Sequence, residues 1–183
     1  MRNQRIIATI EPEDRYYCLF EILFWTGLRI GELLALTKND IDLTNMQIND
    51  SKTYYRTKKN DIITTPKTDQ SVRPVDIPEF LRNEIEEYFN RLYKYPDDER
   101  IFPVVQEAVQ HKMKRNIEKA GVKKIRVHDL RHSHVAYLIH EGVAPLVIKD
   151  RLGHKDIQIT LNTYGHLYPN EQKKLASMLN SKK

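Results

Sequence analysis

The spacing of apolar residues changes period twice along this chain, and that change restricts the fold more than any other feature of the sequence. From Pro12 to Thr26, Tyr16, Leu19, Phe20, Leu23 and Phe24 recur at helical spacing, and Gly27 supplies a stop. A shorter helical stripe of Ile30, Leu33 and Leu34 follows within Arg29–Leu36. Between Ile41 and Ile77 the period falls to two. Ile41/Leu43 and Met46/Ile48 flank Thr44-Asn45 as a small hairpin, and Tyr54-Tyr55, Ile62–Thr65 and Val72–Ile77 read as further strands. Pro66 and Pro74 cannot donate to a strand ladder, so parts of this sheet are expected to be edges. After Pro78 the helical period returns, first in Leu81, Ile85, Tyr88, Phe89 and Leu92, then in Val105, Ala108, Val109, Met113 and Ile117. Val135, Leu138 and Ile139 mark another helix, and shorter ones are expected over Pro145–Leu152, Ile157–Tyr164 and Asn170–Leu179. The expected fold is α+β, mostly α: a helical body with a small antiparallel β-sheet on one side.

Length and composition bound what such a body can be. At roughly 100–200 residues per domain, 183 residues make one domain, with 1–11 as a leader and 170–183 as a C-terminal tail helix. A hydrophobic content of 40% suffices for a core and excludes wholesale disorder. Thirty Lys+Arg against 25 Asp+Glu leave a net charge of +5, which permits a polyanionic partner without requiring one. The single cysteine, Cys18, can form neither an internal disulfide nor a cysteine-rich zinc site, and it fits a reducing compartment. No apolar run approaches the ~20 residues of a membrane span, and the N-terminus lacks a signal-peptide core. A soluble, cytoplasmic protein is expected.

Five short stretches carry chemistry. In Thr26-Gly27-Leu28-Arg29-Ile30-Gly31-Glu32-Leu33-Leu34-Ala35-Leu36, a cation heads an otherwise apolar stripe, where it must pair or bind something. The plain alternative is an Arg29–Glu32 pair on a solvated helix. In His128-Asp129-Leu130-Arg131-His132-Ser133-His134, His128 and Arg131 share a face that continues into Val135, Leu138 and Ile139. Two phosphate-compatible groups capping an inward stripe suit a cleft edge, although Arg131 could equally snorkel. The three histidines invite a metal reading, but no HExxH is present and no nearby cysteine could complete a ligand set. Leu152-Gly153-His154 places a histidine on a turn after a helix, and Tyr164 follows ten residues later, with Tyr168 as its competitor. Lys67 lies in Pro66-Lys67-Thr68-Asp69-Gln70-Ser71-Val72-Arg73, read as a hairpin tip between two strands.

Individually these signals are modest, and their order raises them. TGLRxGExLxL, a lysine on a β-turn, HDLRHSH, LGH and TYGH together resemble the tyrosine recombinase (phage integrase) family, from about Pro12 to Pro169. HDLRHSHVAYLI and LGHKDIQITLNTYGHL look most like integrases of temperate phages and of conjugative transposons of Gram-positive bacteria. The resemblance implies site-specific breakage and rejoining of double-stranded DNA through a 3′-phosphotyrosyl link on Tyr164. Arg29 and Arg131 would hold the non-bridging phosphate oxygens, which guanidinium forks suit because they donate bidentately and stay charged. His154 would add a third donor, His128 would take the proton of Tyr164, and Lys67 would protonate the leaving 5′-oxygen. Glu32 would orient Arg29 or the histidines. No water is activated and the phosphotyrosine stores the bond energy, so neither a metal nor a nucleotide cofactor is required.

Members of the family usually carry an N-terminal core-binding domain, and this chain reaches the catalytic motif by Gly27. That half is therefore expected to be absent, with the full-length protein a tetramer on DNA and this chain alone a monomer. The alternatives are relaxation of DNA in the manner of type IB topoisomerases, or a non-catalytic DNA-binding module of the same fold. A metal phosphodiesterase built on His128-Asp129 lacks the carboxylate cluster such sites use.

Overall fold

A computed structural model of the chain describes residues 2–58, 60–64, 73–168 and 172–180. Its helices are α1 Arg2–Ile7, α2 Arg15–Thr26, α3 Ile30–Ala35, α4 Glu79–Arg91, α5 Gln106–Ala120, α6 Asp129–His140, α7 Pro145–Leu152, α8 Ile157–Tyr164 and α9 Gln172–Asn180. Its strands are β1 Ile41–Asp42, β2 Gln47–Asp50, β3 Thr53–Arg56, β4 Asp61–Thr64 and β5 Arg73–Asp76. Helices α2 to α9 thus fall where the periodicity and its punctuation place them, with some ends shifted by a few residues.

The caps show why. Asp14 accepts the amide of Tyr16 at 3.0 Å to open α2, and Gly27 closes that helix in the left-handed region at φ 70°. α7 opens on Pro145 and closes on Gly153 at φ 64°. Both closures need glycine for packing as well as for backbone. A Cβ on Gly27 would lie 2.7 Å from the His134 ring, and one on Gly153 would lie 2.6 Å from the Arg73 guanidinium.

The β region differs from the expectation of one sheet. β1, β2 and β5 form a three-stranded antiparallel sheet in the order β1-β2-β5, while β3 and β4 pair separately. Ile48 pairs with Ile41 on one side and Val75 on the other, and these three face the core. Pro74 falls on β5 at the edge of its sheet, as its missing N–H demands. Lys67 lies outside the described residues. Among the described residues, the strands on either side of it, β4 and β5, pair with β3 and β2 respectively.

A second difference is at the N-terminus. Residues 1–11 were expected to be a leader, but Arg2–Ile7 is a helix packed against α5, and Ile6, Ile7 and Ile10 are buried in the main core. Thr9 fastens this segment by sharing its one hydroxyl proton between the carbonyl of Ile6 at 2.7 Å and Oδ1 of Asn116 at 3.0 Å.

The buried side chains form two separate groups. The larger joins α1 through α5, the three-stranded sheet and the start of α6, around Phe20, Leu33, Leu34, Ile48, Leu81, Ile85 and Phe102. The smaller consists of Val135, Ile139, Ile148, Leu152 and Tyr164, from α6, α7 and α8. α6 belongs to both, and the residues of interest lie along it. Among the described residues, no helix is long and apolar enough to cross a membrane.

Candidate active site

Arg29 is the N-cap of α3, with an extended backbone at φ −72° and ψ 150°. Glu32, one turn on, accepts the Arg29 amide at 2.7 Å and its Nη1 at 2.6 Å. The plain alternative, an i,i+3 pair, is therefore formed, but it is not a solvated one. The Glu32 side chain is 7% exposed while that of Arg29 is 46% exposed, so the carboxylate is a buried tether and the guanidinium faces outward. Burial pushes the Glu32 carboxyl up, but Arg29, its amide and Arg73 outweigh this and hold the group below the usual range.

Arg73, at the start of β5, supports this tether from behind. Its Nη1 donates to Asp50, its Nε donates to the Arg151 carbonyl at 2.8 Å, and its Nη2 lies 3.7 Å from Glu32. Burial and the neighbouring Glu32 push the Asp50 carboxyl up to about 7 against the pull of Arg73. Nothing in the sequence marked Arg73 or Asp50, because each is one charged residue on a short strand.

Arg131, on the first turn of α6, is the most constrained cation of the set at 4% exposure. Its Nη1 donates to the carbonyl of Gly27, which α2 leaves unpaired at its end. Its Nη2 donates to the carbonyl of Leu152 at 2.8 Å and to Nε2 of His154 at 3.3 Å. Burial and the proximity of Arg29 pull it down to about 10, so it remains charged at neutral pH. Three of the five N–H donors of a guanidinium are used in this way, which fixes its plane and leaves two for an oxyanion.

His154 follows Gly153 and is held from both sides. Since Arg131 can only donate, Nε2 of His154 accepts, and its Nδ1–H donates to Thr160 Oγ1 at 2.9 Å. Burial and the three nearby guanidinium groups of Arg131, Arg29 and Arg73 depress its pKa to about 4. The expected third phosphate donor is thus a neutral ring that accepts from Arg131 in this arrangement. An incoming phosphate would add negative charge beside it and favour the protonated, donating form.

Tyr164 ends α8 and is 5% exposed, within the smaller core. Its hydroxyl lies 2.7 Å from Nδ1 of His132, with the two rings 5.6 Å apart. Burial raises the phenol pKa, and Arg131 pulls the other way. His128, the residue singled out from sequence as proton acceptor, packs edge-on against His132 at 4.8 Å and 88°. His132 was passed over, although its i,i+4 spacing from His128 put both on one helical face. The third histidine of the motif, His134, is scaffold: its Nε2 accepts from Arg151 Nε at 3.0 Å, and burial depresses its pKa to about 3. The hydroxyl of Tyr168 is buried and has no hydrogen-bond partner among the described residues.

A mostly helical body with a small sheet beside it, and a tyrosine held against His132 within the electrostatic reach of Arg131, which Arg29 also faces, define the class of the tyrosine recombinases. The phage integrase family pattern matches residues 2–171, and the chain belongs to that family. It is 38% identical over 183 aligned residues to the ICEBs1 integrase of Bacillus subtilis strain 168, covering 92% of this chain and 50% of that protein. The chain therefore spans about half the length of that relative. In fold it is similar to the Tn1549 transposon integrase, solved in complex with a circular intermediate DNA. The TM-score is 0.80 at 22% identity, over 98% of this chain and 63% of that one. It is similar also to the catalytic domain of bacteriophage HP1 integrase, with a TM-score of 0.61 at 22% identity, over 98% of this chain and 91% of that one.

Proposed function

We propose that this chain is the catalytic part of a site-specific DNA recombinase that breaks and rejoins duplex DNA through a 3′-phosphotyrosyl intermediate. The observation that carries the reading is Arg131, clamped between Gly27 and Leu152 with His154 on it, within the electrostatic reach of both Arg29 and Tyr164. Arg29 and Arg131 hold the phosphate oxygens, and Glu32 orients Arg29. His154 completes the cradle. Charge that builds on the phosphate is met by groups already in place, so little reorganisation is required as the reaction proceeds. The histidine pair of His128 and His132 receives the proton of Tyr164. Lys67 protonates the leaving 5′-oxygen.

The partner is double-stranded DNA, as the DNA complex of the Tn1549 integrase supports, in the bacterial cytoplasm. Self-association on DNA is supported by the apolar residues that α7 to α9 leave exposed: Leu146, Val147 and Ile159 on two helices, Met178 and Leu179 on the third. The test is incubation with a nicked suicide substrate, which traps the covalent step, followed by a denaturing gel. The expected result is a protein–DNA adduct. Its absence in both this chain and a longer form carrying the N-terminal half would overturn the reading.

A further inference from the structure

We propose that His132 is the catalytic residue that takes the proton from Tyr164. The inference rests on the recombinase reading and names a residue which that reading leaves inside a pair. The reacting oxygen and the imidazole are in direct contact at 2.7 Å, the distance from which a general base acts. Among the described residues, Nδ1 of His132 is the hydrogen-bond partner of that hydroxyl.

The surroundings fix the ring for this purpose. His132 lies on α6 directly after Arg131, so base and phosphate clamp are carried by one rigid helix, about 100° apart around its axis. Arg131 turns to Gly27 and Leu152, and His132 turns to Tyr164 on α8. The ring of His128 abuts His132 edge-on, which limits its rotation. Burial, with the neighbouring His132 and Arg131, holds His128 below its ordinary pKa. His128 is therefore a positioning residue one ring removed from the nucleophile.

The proton count closes. For Nδ1 to accept, neutral His132 carries its proton on Nε2. The O–H bond of Tyr164 breaks, its proton passes to Nδ1, and the phenolate oxygen forms a bond to phosphorus. The bond from phosphorus to the 5′-oxygen breaks, and that oxygen takes a proton from Lys67. In the rejoining step an incoming 5′-hydroxyl returns its proton to Lys67, and the His132 imidazolium returns its own to Tyr164.

Two measurements test this. The first is ¹⁵N NMR of the histidine-labelled chain above pH 7.5, where the proposal requires an unprotonated Nδ1 and a protonated Nε2 on His132. A protonated Nδ1 would make His132 the donor to the phenol and overturn the proposal. The second is single-turnover cleavage by His132→Asn, which keeps a polar atom near the Nδ1 position but accepts no proton. The rate should fall roughly a hundredfold or more, with DNA binding unchanged. Fluorotyrosine at position 164, whose phenol ionises more readily, should restore His132→Asn far better than Arg131→Ala. Cleavage by His132→Asn at or above the unsubstituted rate, or equal rescue of both variants, would overturn the role of His132. A missing adduct in the unsubstituted protein would count instead against the recombinase reading, and the NMR result would still decide the tautomer.

Discussion

Among the described residues, the hydroxyl of Tyr164 has a partner and that of Tyr168 has none, although the two lie four residues apart and both contact the smaller core. A buried phenol without a partner is costly to ionise, which favours Tyr164 over Tyr168 for the proposed role of nucleophile. Tyr164→Phe should eliminate the adduct, whereas Tyr168→Phe should keep most of it, and peptide mapping of the adduct checks the assignment. His134 makes a different statement at the same scale. Its pKa of about 3 in the fold lies below the ordinary 6.5, so between those values the unfolded chain binds the extra proton. Its contribution to stability is present in full above pH 6.5 and falls away as the pH is lowered toward 3. Urea midpoints at pH 7.5 and pH 5 should therefore drop more for the unsubstituted chain than for His134→Gln. At this scale the sequence was readable for Arg29 and Glu32, a pair that spans one helical turn. It was unreadable where the partner comes from a distant element. Nothing local to His132 announced Tyr164, 32 residues away.

Gly153 and Gly142 isolate what one turn contributes. Both adopt positive φ, at 64° and 78°, so alanine strains the backbone at each. Only at Gly153 does the added methyl group also meet the Arg73 guanidinium, which ties the Arg151 carbonyl near the end of α7 to β5 and Asp50. Gly142→Ala should cost about 1 kcal/mol and Gly153→Ala clearly more, and denaturant melts of the two variants would rank them. Elements of eight or more residues were legible because the helical period repeats within them. α1, with six residues, offered too little repeat to separate it from a leader. The division of the strands into two sheets was hidden for a related reason. Each of β2 to β5 has four residues, and alternation gives the faces of a strand but not its neighbour.

For the molecule as a whole, the net charge of +5 is modest for holding duplex DNA. Each neutralised phosphate contributes a salt slope of about −0.9, and contacts to phosphate position the protein without reading sequence. This chain alone should bind specific and random duplexes with similar, roughly micromolar affinity, and lose that affinity steeply with salt. Titrations of both duplexes at two salt concentrations check this, and strong selectivity would contradict it. Cleavage should also persist in excess EDTA. Among the described residues, no three His, Cys, Asp or Glu side chains are grouped to hold a metal ion. Loss of activity on chelation, restored by zinc or manganese, would contradict that outcome.

The separation of the buried side chains into a large and a small group has a thermal consequence. Tyr164, Leu152 and the segment bearing His154 depend on the small one, while Arg29 and Glu32 depend on the large one. Regions with few buried apolar contacts open first. On warming, the α7–α8 layer should loosen while α2 to α5 stay folded, withdrawing Tyr164, His154 and the Leu152 carbonyl that anchors Arg131 from Arg29 and Glu32. Adduct formation should then fail at a lower temperature than the helical circular dichroism signal. The enzyme would fall silent before it melts.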